Sequence, residues 1–180
     1  MTENRDDDAM DGTTLHGEQT AQLATAYAAA HYFVTIGHRE WLFGVGRLAD
    51  DIERELGAEH YLFITAWNPA PGAATVAQNM AADEHLQARI RDGGFRHYSS
   101  LGSNAQGGAV EYGWLVLDVP LETGDAWARE FGQAATLYWK RGEPVRLRML
   151  WPRPPGVAEE PYTDWAGCAG RPNWPDEQGS

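Results

Sequence analysis

Tyr61 to Trp67 is the stretch that most constrains how this chain can fold. It is apolar and rich in aromatic and β-branched residues, which suits a buried strand. It ends abruptly at Asn68-Pro69 instead of fading into a loop. Thr75-Val76-Ala77-Gln78 follows with the spacing of a capping box, in which a Thr hydroxyl and a Gln side chain each satisfy a free backbone N–H at a helix start. A strand, a polar turn and a helix entrance in that order point to a layered fold of strands and helices. Chains of that kind often carry binding groups at such a turn.

The sequence downstream extends the pattern. The helix is expected to run to about Arg91 and stop at Gly93-Gly94. Phe95 to Ser99 and Tyr112 to Val119 predict strands around a glycine-rich loop at 102–108. Glu122 to Phe131 predicts a short helix closed by Gly132. Gln133 to Lys140 and Val145 to Leu150 predict a last pair of strands joined at Arg141-Gly142-Glu143-Pro144. From about residue 61 the order therefore begins strand, helix, strand, strand, helix, strand, which is that of a ferredoxin-like split βαβ unit.

Upstream, Ala21 to Ala30 suits a short helix. His31 to Ile36 and Glu40 to Val45 predict two strands with a tight turn at Gly37-His38. Arg47 to Leu56 predicts a helix ended by Gly57, with Leu48, Ile52 and Leu56 as one apolar stripe. Asp50, Asp51, Glu53 and Glu55 lie off that stripe and are expected on its solvated face.

The fold class that results is α+β: a single domain at 19–150, with a mixed, mostly antiparallel sheet and helices largely on one face. Residues 1–18 are polar, acidic and without periodicity, and are expected to be a disordered tail. Residues 151–180 form a Pro- and Trp-rich tail carrying Trp151, Tyr162, Trp165 and Trp174. Exposed indoles are unfavourable, so packing on its own domain is favoured over docking on a partner.

The formal net charge is −12 over 180 residues, with −5 in residues 1–20 and −3 in residues 151–180. A negative field disfavours nucleic acid, which is bound through Lys and Arg at phosphates. Arg141, Arg146 and Arg148 are the only candidates for a local basic patch. No apolar run approaches the roughly 20 residues that cross a bilayer, and the N-terminus is acidic. With a single cysteine, Cys168, these features predict a soluble cytoplasmic protein without a disulfide framework. A monomer or weak dimer is expected.

Cofactor and metal signals are weak, and none of either kind is expected. Gly44-Val45-Gly46-Arg47-Leu48-Ala49 has the spacing of a dinucleotide fingerprint. The strand after it ends in Trp67-Asn68-Pro69, however, where an acidic residue would hold a ribose. The six histidines, His16, His31, His38, His60, His85 and His97, show no paired ligand spacing. Ser99 and Ser100 near His97 form no oriented triad, and Cys168 lies in the tail without an evident base.

Asn68 and Asn79 are the candidate binding residues. A residue before proline is expected in extended backbone, which would aim the Asn68 amide in a fixed direction. Asn79 shares a helix face with Asp83, Leu86 and Ile90, so its amide needs a partner. Two arrangements fit: the amides bond each other and lock the turn, or both face one small polar or anionic ligand beside the helix start. Trp67 would supply an apolar platform. Glu111 and Gln133 each sit at a strand entrance and could wall the same site.

Thr65-Ala66-Trp67-Asn68-Pro69 with Asn79, Leu86 and Ile90, then Glu111-Tyr112-Gly113-Trp114-Leu115-Val116 and Phe131-Gly132-Gln133-Ala134, resemble the bacterial family known as domain of unknown function 3293. The resemblance spans about residues 27–150 and departs from the family at Gly113, where a small hydroxyl residue is usual. It implies a fold and a site, not a reaction. Glu111, the acidic residue inside one of these blocks, is the general-base candidate if the protein is an enzyme.

The reading that follows is a non-catalytic module that binds a small ligand or a protein, with Trp67, Asn68, Asn79 and Gln133 at the site. A small transferase- or hydrolase-type enzyme using Glu111 is the alternative. A third reading is an acidic protein that masks a basic partner.

Overall fold

A computed structural model describes residues 7–70 and 72–167 of the chain. In chain order these form α1 (Asp7–Ala29), β1 (His31–Ile36), β2 (Arg39–Phe43), α2 (Asp50–Leu56), β3 (His60–Thr65), α3 (Val76–Asp92), β4 (His97–Ser103), β5 (Glu111–Leu117), α4 (Leu121–Glu130), β6 (Ala135–Lys140), β7 (Arg146–Met149) and β8 (Thr163–Trp165). All eight strands lie in one sheet, in the order β2-β1-β4-β5-β3-β6-β7-β8. Every neighbouring pair is antiparallel except β7 and β8, so the sheet is mixed but mostly antiparallel. The fold is thus a single α+β domain. Its central strands β4-β5-β3-β6 have the order that a ferredoxin-like βαββαβ unit produces.

Alternation along β3 sorts the core into two layers. Tyr61 and Phe63 face one way and Leu62 and Ile64 the other, and all four are buried. Leu62 and Ile64 pack with Val116 against Leu86 and Ile90 of α3 and Trp127 and Ala128 of α4. Tyr61 and Phe63 pack with Leu115 and Trp139 against Ala24 of α1 and Ile52 and Leu56 of α2. Helices therefore share one face within the ferredoxin-like segment, while α1 and α2 cover the other. A sheet apolar on both faces needs both covered.

The α1/α2 face is concave. Beyond β2, the Gly46 N–H donates to the Val145 carbonyl at 2.8 Å and the Val145 N–H to the Arg47 carbonyl at 2.9 Å. These bonds draw the start of the sheet toward β7, and the Phe43 and Trp139 rings meet across the curl at 5.6 Å. Gly46 has φ 78°, and a Cβ there would lie 2.9 Å from the Tyr162 ring. The second glycine of the fingerprint-like run thus serves chain closure.

Three local expectations differ from the structure. Helix α1 begins at Asp7, so its first turns run through acidic sequence where disorder was expected. Once the half carrying buried Thr20 and Ala24 is anchored, each added residue needs only favourable propagation. Helix α2 begins at Asp50, which leaves Leu48 outside it and 56% exposed. Glu53 is buried, not solvated: its carboxylate accepts from Trp139 Nε1 at 3.1 Å and the Gly142 N–H at 2.9 Å. It joins α2 to β6 and to the turn after it, which is why an acid off the apolar stripe is inside.

The C-terminal segment adds β8 alongside β7, and Trp165 packs on the concave core. Trp174 and Cys168 lie outside the described residues. Arg146 grips Asp164 through two bonds of 2.7 Å, and Arg148 grips Asp125 at 2.8 and 2.7 Å. Arg141 lies 3.7 Å from Glu59, so the three arginines considered for a basic patch all face acids. Among the described residues no helix is long and apolar enough to cross a membrane.

Replacing Glu53 by Ala would strand the buried Trp139 indole N–H and release the Gly142 N–H of the turn. Glu53→Ala is expected to lower stability by about 2–4 kcal/mol, read from urea unfolding, whereas Glu53→Gln retains an acceptor and should lose less. Equal, small losses in both would mean that the network does not hold the β6–β7 turn.

Candidate functional site

The polar stop after β3 is built around Asn68. Its φ is 46°, left-handed and not the extended backbone expected before proline. Asparagine tolerates that region better than most residues, and here side-chain bonds hold it there. The Asn68 N–H donates to Asn79 Oδ1 at 2.8 Å, while Asn68 Oδ1 accepts from Asn79 Nδ2 at 3.0 Å and from the Ala74 N–H at 3.2 Å. Thr75 and Gln78 form the capping box that fixes the start of α3, so Asn79 is presented in register. The two amides thus lock the turn on itself, the first of the arrangements their spacing allowed. Asp83, on the same helix face, accepts from Trp114 Nε1 at 3.0 Å.

The locked turn then reaches through to the concave face. Asn68 Nδ2 donates to Glu111 Oε1 at 2.8 Å. Glu111 opens β5 and shares the face of Gly113, Leu115 and Leu117 by alternation. Gly113, the departure from the family pattern, sits where a Cβ would come 2.5 Å from the Ile64 carbonyl oxygen, so β3 and β5 approach closely there. Gln133, just before β6, donates from Nε2 to the carbonyls of Trp67 at 3.1 Å and Phe131 at 3.3 Å. Trp67 itself packs edge-on against Tyr112, and its buried indole N–H has no hydrogen-bond partner among the described residues.

Glu111 and Gln133 meet at a cavity of about 170 Å³ between the concave sheet and α1. Trp67, Asn68 and Asn79 do not line it; they stand behind its two polar walls. Tyr27 comes from α1, Tyr32 from β1, Phe63 from β3 and Leu137 from β6. Gly102 of β4 pairs with Glu111, and a Cβ on it would lie 3.2 Å from the Tyr32 ring, so the missing side chain leaves room for that ring. Exposed Ala26, Asn104 and Ala109 also line the cavity, which places its mouth between α1 and the β4–β5 loop.

Inside, Glu111 and Gln133 offer acceptors, and the buried Thr136 hydroxyl, able to donate or accept, lines the same cavity without a hydrogen-bond partner among the described residues. Glu111 Oε1 is taken by Asn68, and Oε2 has no partner among the described residues. Both Gln133 Nε2 partners are carbonyls, which fixes the amide orientation and leaves Oε1 as a free acceptor. Among the described residues no Lys, Arg or His lines the cavity. Burial raises the Glu111 carboxyl above the ordinary carboxylate range, and the Asn68 hydrogen bond opposes the rise only in part. Burial, then the nearby Glu111 charge, pushes the Tyr27 phenol up to about 12. The Tyr32 phenol is raised further, by burial first, and donates to the Tyr27 carbonyl at 2.9 Å.

Sequence reasoning named the Trp67-Asn68 turn, Asn79, Glu111 and Gln133 together but set them beside the start of α3, whereas Glu111 and Gln133 line a cavity under α1. It missed Tyr27, Tyr32 and Gly102. A tyrosine in an alanine-rich helix and a glycine within a strand were the available signals. Among the described residues no group of three or more His, Cys, Asp or Glu side chains could hold a metal ion.

Because Asn68 and Asn79 share their bonds, Asn68→Ala and Asn79→Ala should each lower stability by about 1–3 kcal/mol. The double variant should lose clearly less than the sum, as a urea-unfolding double-mutant cycle would register. Strict additivity would mean that the two amides act independently.

No curated protein and no solved structure matches the chain. The family described as protein of unknown function (DUF3293) matches residues 64–136, a segment that runs from the end of β3 through Asn68, Asn79, Glu111 and Gln133 into β6, and over that segment the resemblance read from the sequence is shown.

Proposed function

We propose that this chain is a small-molecule-binding protein whose site is the cavity beneath α1. Glu111 and Gln133 anchor the ligand, and the Trp67-Asn68 turn with Asn79 braces them from behind. One observation carries the reading: two hydrogen-bond acceptors, Glu111 at the start of β5 and Gln133 just before β6, line an otherwise largely apolar cavity without a partner for Oε2 of the one or Oε1 of the other among the described residues. An apolar hollow with a few convergent polar groups is the usual form of a ligand site. A carboxyl kept there against its own desolvation is destabilising unless something binds it.

The raised carboxyl also favours a second reading, general acid–base catalysis by Glu111. A carboxyl that holds its proton to higher pH is a better acid–base group near neutrality. Catalysis requires turnover of whatever occupies the cavity, whereas binding alone does not.

Stability against pH tests the Glu111 role. The folded state raises its pKa above the unfolded value of about 4.3, so it disfavours the ionised form. The resulting destabilisation is complete above the folded pKa and disappears as pH falls below the unfolded one. Glu111→Gln keeps an oxygen for Asn68 and removes that charge. The variant should melt above the wild type at pH 7–8, with the gap closing toward pH 4, as scanning calorimetry across this range would show. A variant less stable than the wild type at pH 7 would make Glu111 a structural residue and sink the reading.

A further inference from the structure

We infer that the ligand of this cavity is a small organic monocation, a primary ammonium or amidinium carried on a body about the size of one aromatic ring. The inference rests on the cavity being a binding site and goes on to name its ligand chemistry.

Size sets the first limit. At about 170 Å³ the cavity is close to the roughly 150 Å³ apolar cavity known to take up benzene. One ring and a short substituent fill it, and a nucleotide does not fit. The walls agree with that shape, since Phe63, Leu137 and the Tyr27 and Tyr32 rings offer flat apolar surface.

Charge sets the second. Among the described residues that line it, Glu111 is the one carboxyl, and none is a Lys, Arg or His. An anionic ligand would meet a like charge and no counter-charge in a desolvated space. A neutral apolar ligand would cover the free Glu111 oxygen without bonding it, leaving a buried acceptor unsatisfied. A cation satisfies it, and the hydrogen bonds formed are of the stronger, charge-assisted kind.

Directionality sets the third. Glu111 Oε2 and Gln133 Oε1 are both acceptors, and the Gln133 amide cannot turn round without losing its bonds to the Trp67 and Phe131 carbonyls. A ligand that satisfies both must therefore present at least two donors. Ammonium and amidinium groups do so, and a single hydroxyl does not. The Tyr27 hydroxyl has no hydrogen-bond partner among the described residues and is placed to accept a third, while the flanking rings add cation–π attraction.

Three probes of one shape separate the outcomes: benzylammonium, its neutral counterpart benzyl alcohol, and the anion benzoate. Each would be titrated into wild-type protein and Glu111→Gln, followed by amide chemical shifts at Tyr27, Glu111 and Leu137. The expected result is that benzylammonium binds the wild type most tightly and loses about tenfold or more in Glu111→Gln, as for a lost hydrogen bond to a charged group. Benzyl alcohol should be little affected by the substitution, and benzoate should not bind. If benzyl alcohol or benzoate binds the wild type as tightly as benzylammonium, the ligand class is overturned while the cavity stands as a binding site. If none of the three shifts those residues, both the ligand class and the binding function fall.

Discussion

Strand β3 is buried on both faces for its whole length beyond His60, and the layers around it follow from covering those faces. Its apolar run presents Tyr61 and Phe63 to one side and Leu62 and Ile64 to the other. Leaving either face in water would forfeit roughly 1.5–3 kcal/mol for each large side chain. Helices α3 and α4, which arise from the chain's own βαββαβ order, cover one face. The other is covered by what precedes the strand, α1 and α2, together with the curl of the sheet. The cavity exists because that second cover is incomplete beside α1.

The same strand end links stability to the proposed chemistry. Asn68 satisfies four bonds with one residue, two through its side-chain Oδ1 and one each through its backbone N–H and its side-chain Nδ2. That saturation keeps a left-handed residue before a proline in place and leaves the turn rigid. Rigidity behind Glu111 and Gln133 means that neither acceptor needs to be ordered when a ligand arrives, which removes a large part of the entropic penalty of binding. In the opposite direction, the burial that would make Glu111 a strong anchor raises its pKa and by itself weakens the fold. Glu53 shows the contrasting case. It is just as firmly bonded, but to Trp139 and Gly142 within the core, and serves the fold alone.

Particular residues show what could be read in advance. The capping box at Thr75 and Gln78 was legible because its chemistry is local, confined to one helical turn. Gly57 as a left-handed helix stop and the hairpin at Gly37 were legible for the same reason. Asn79 was legible as a buried amide because the helix period placed it with Leu86 and Ile90. Glu53 was not, since its partners are 86 and 89 residues away and nothing in the heptad around it announces them. Asn68 was half legible: its importance showed, but its backbone did not, because long-range bonds overrode the local preference of a residue before proline.

The amino-acid sequence by itself determined most of the strands and helices from β1 to β7, the central ferredoxin-like order, and the residues of the turn that closes β3, but neither the early start of α1 nor β8. These depend on periodicity, capping and turn chemistry, all of short range. Tertiary structure alone decided that α1 lies over the concave face, that the sheet curls through Gly46 and Val145, and that Tyr27, Glu111 and Gln133 meet. Those contacts join residues up to about a hundred positions apart, through a sheet whose curvature is a property of all eight strands together. A cavity is the space that packing leaves, and no single segment encodes it.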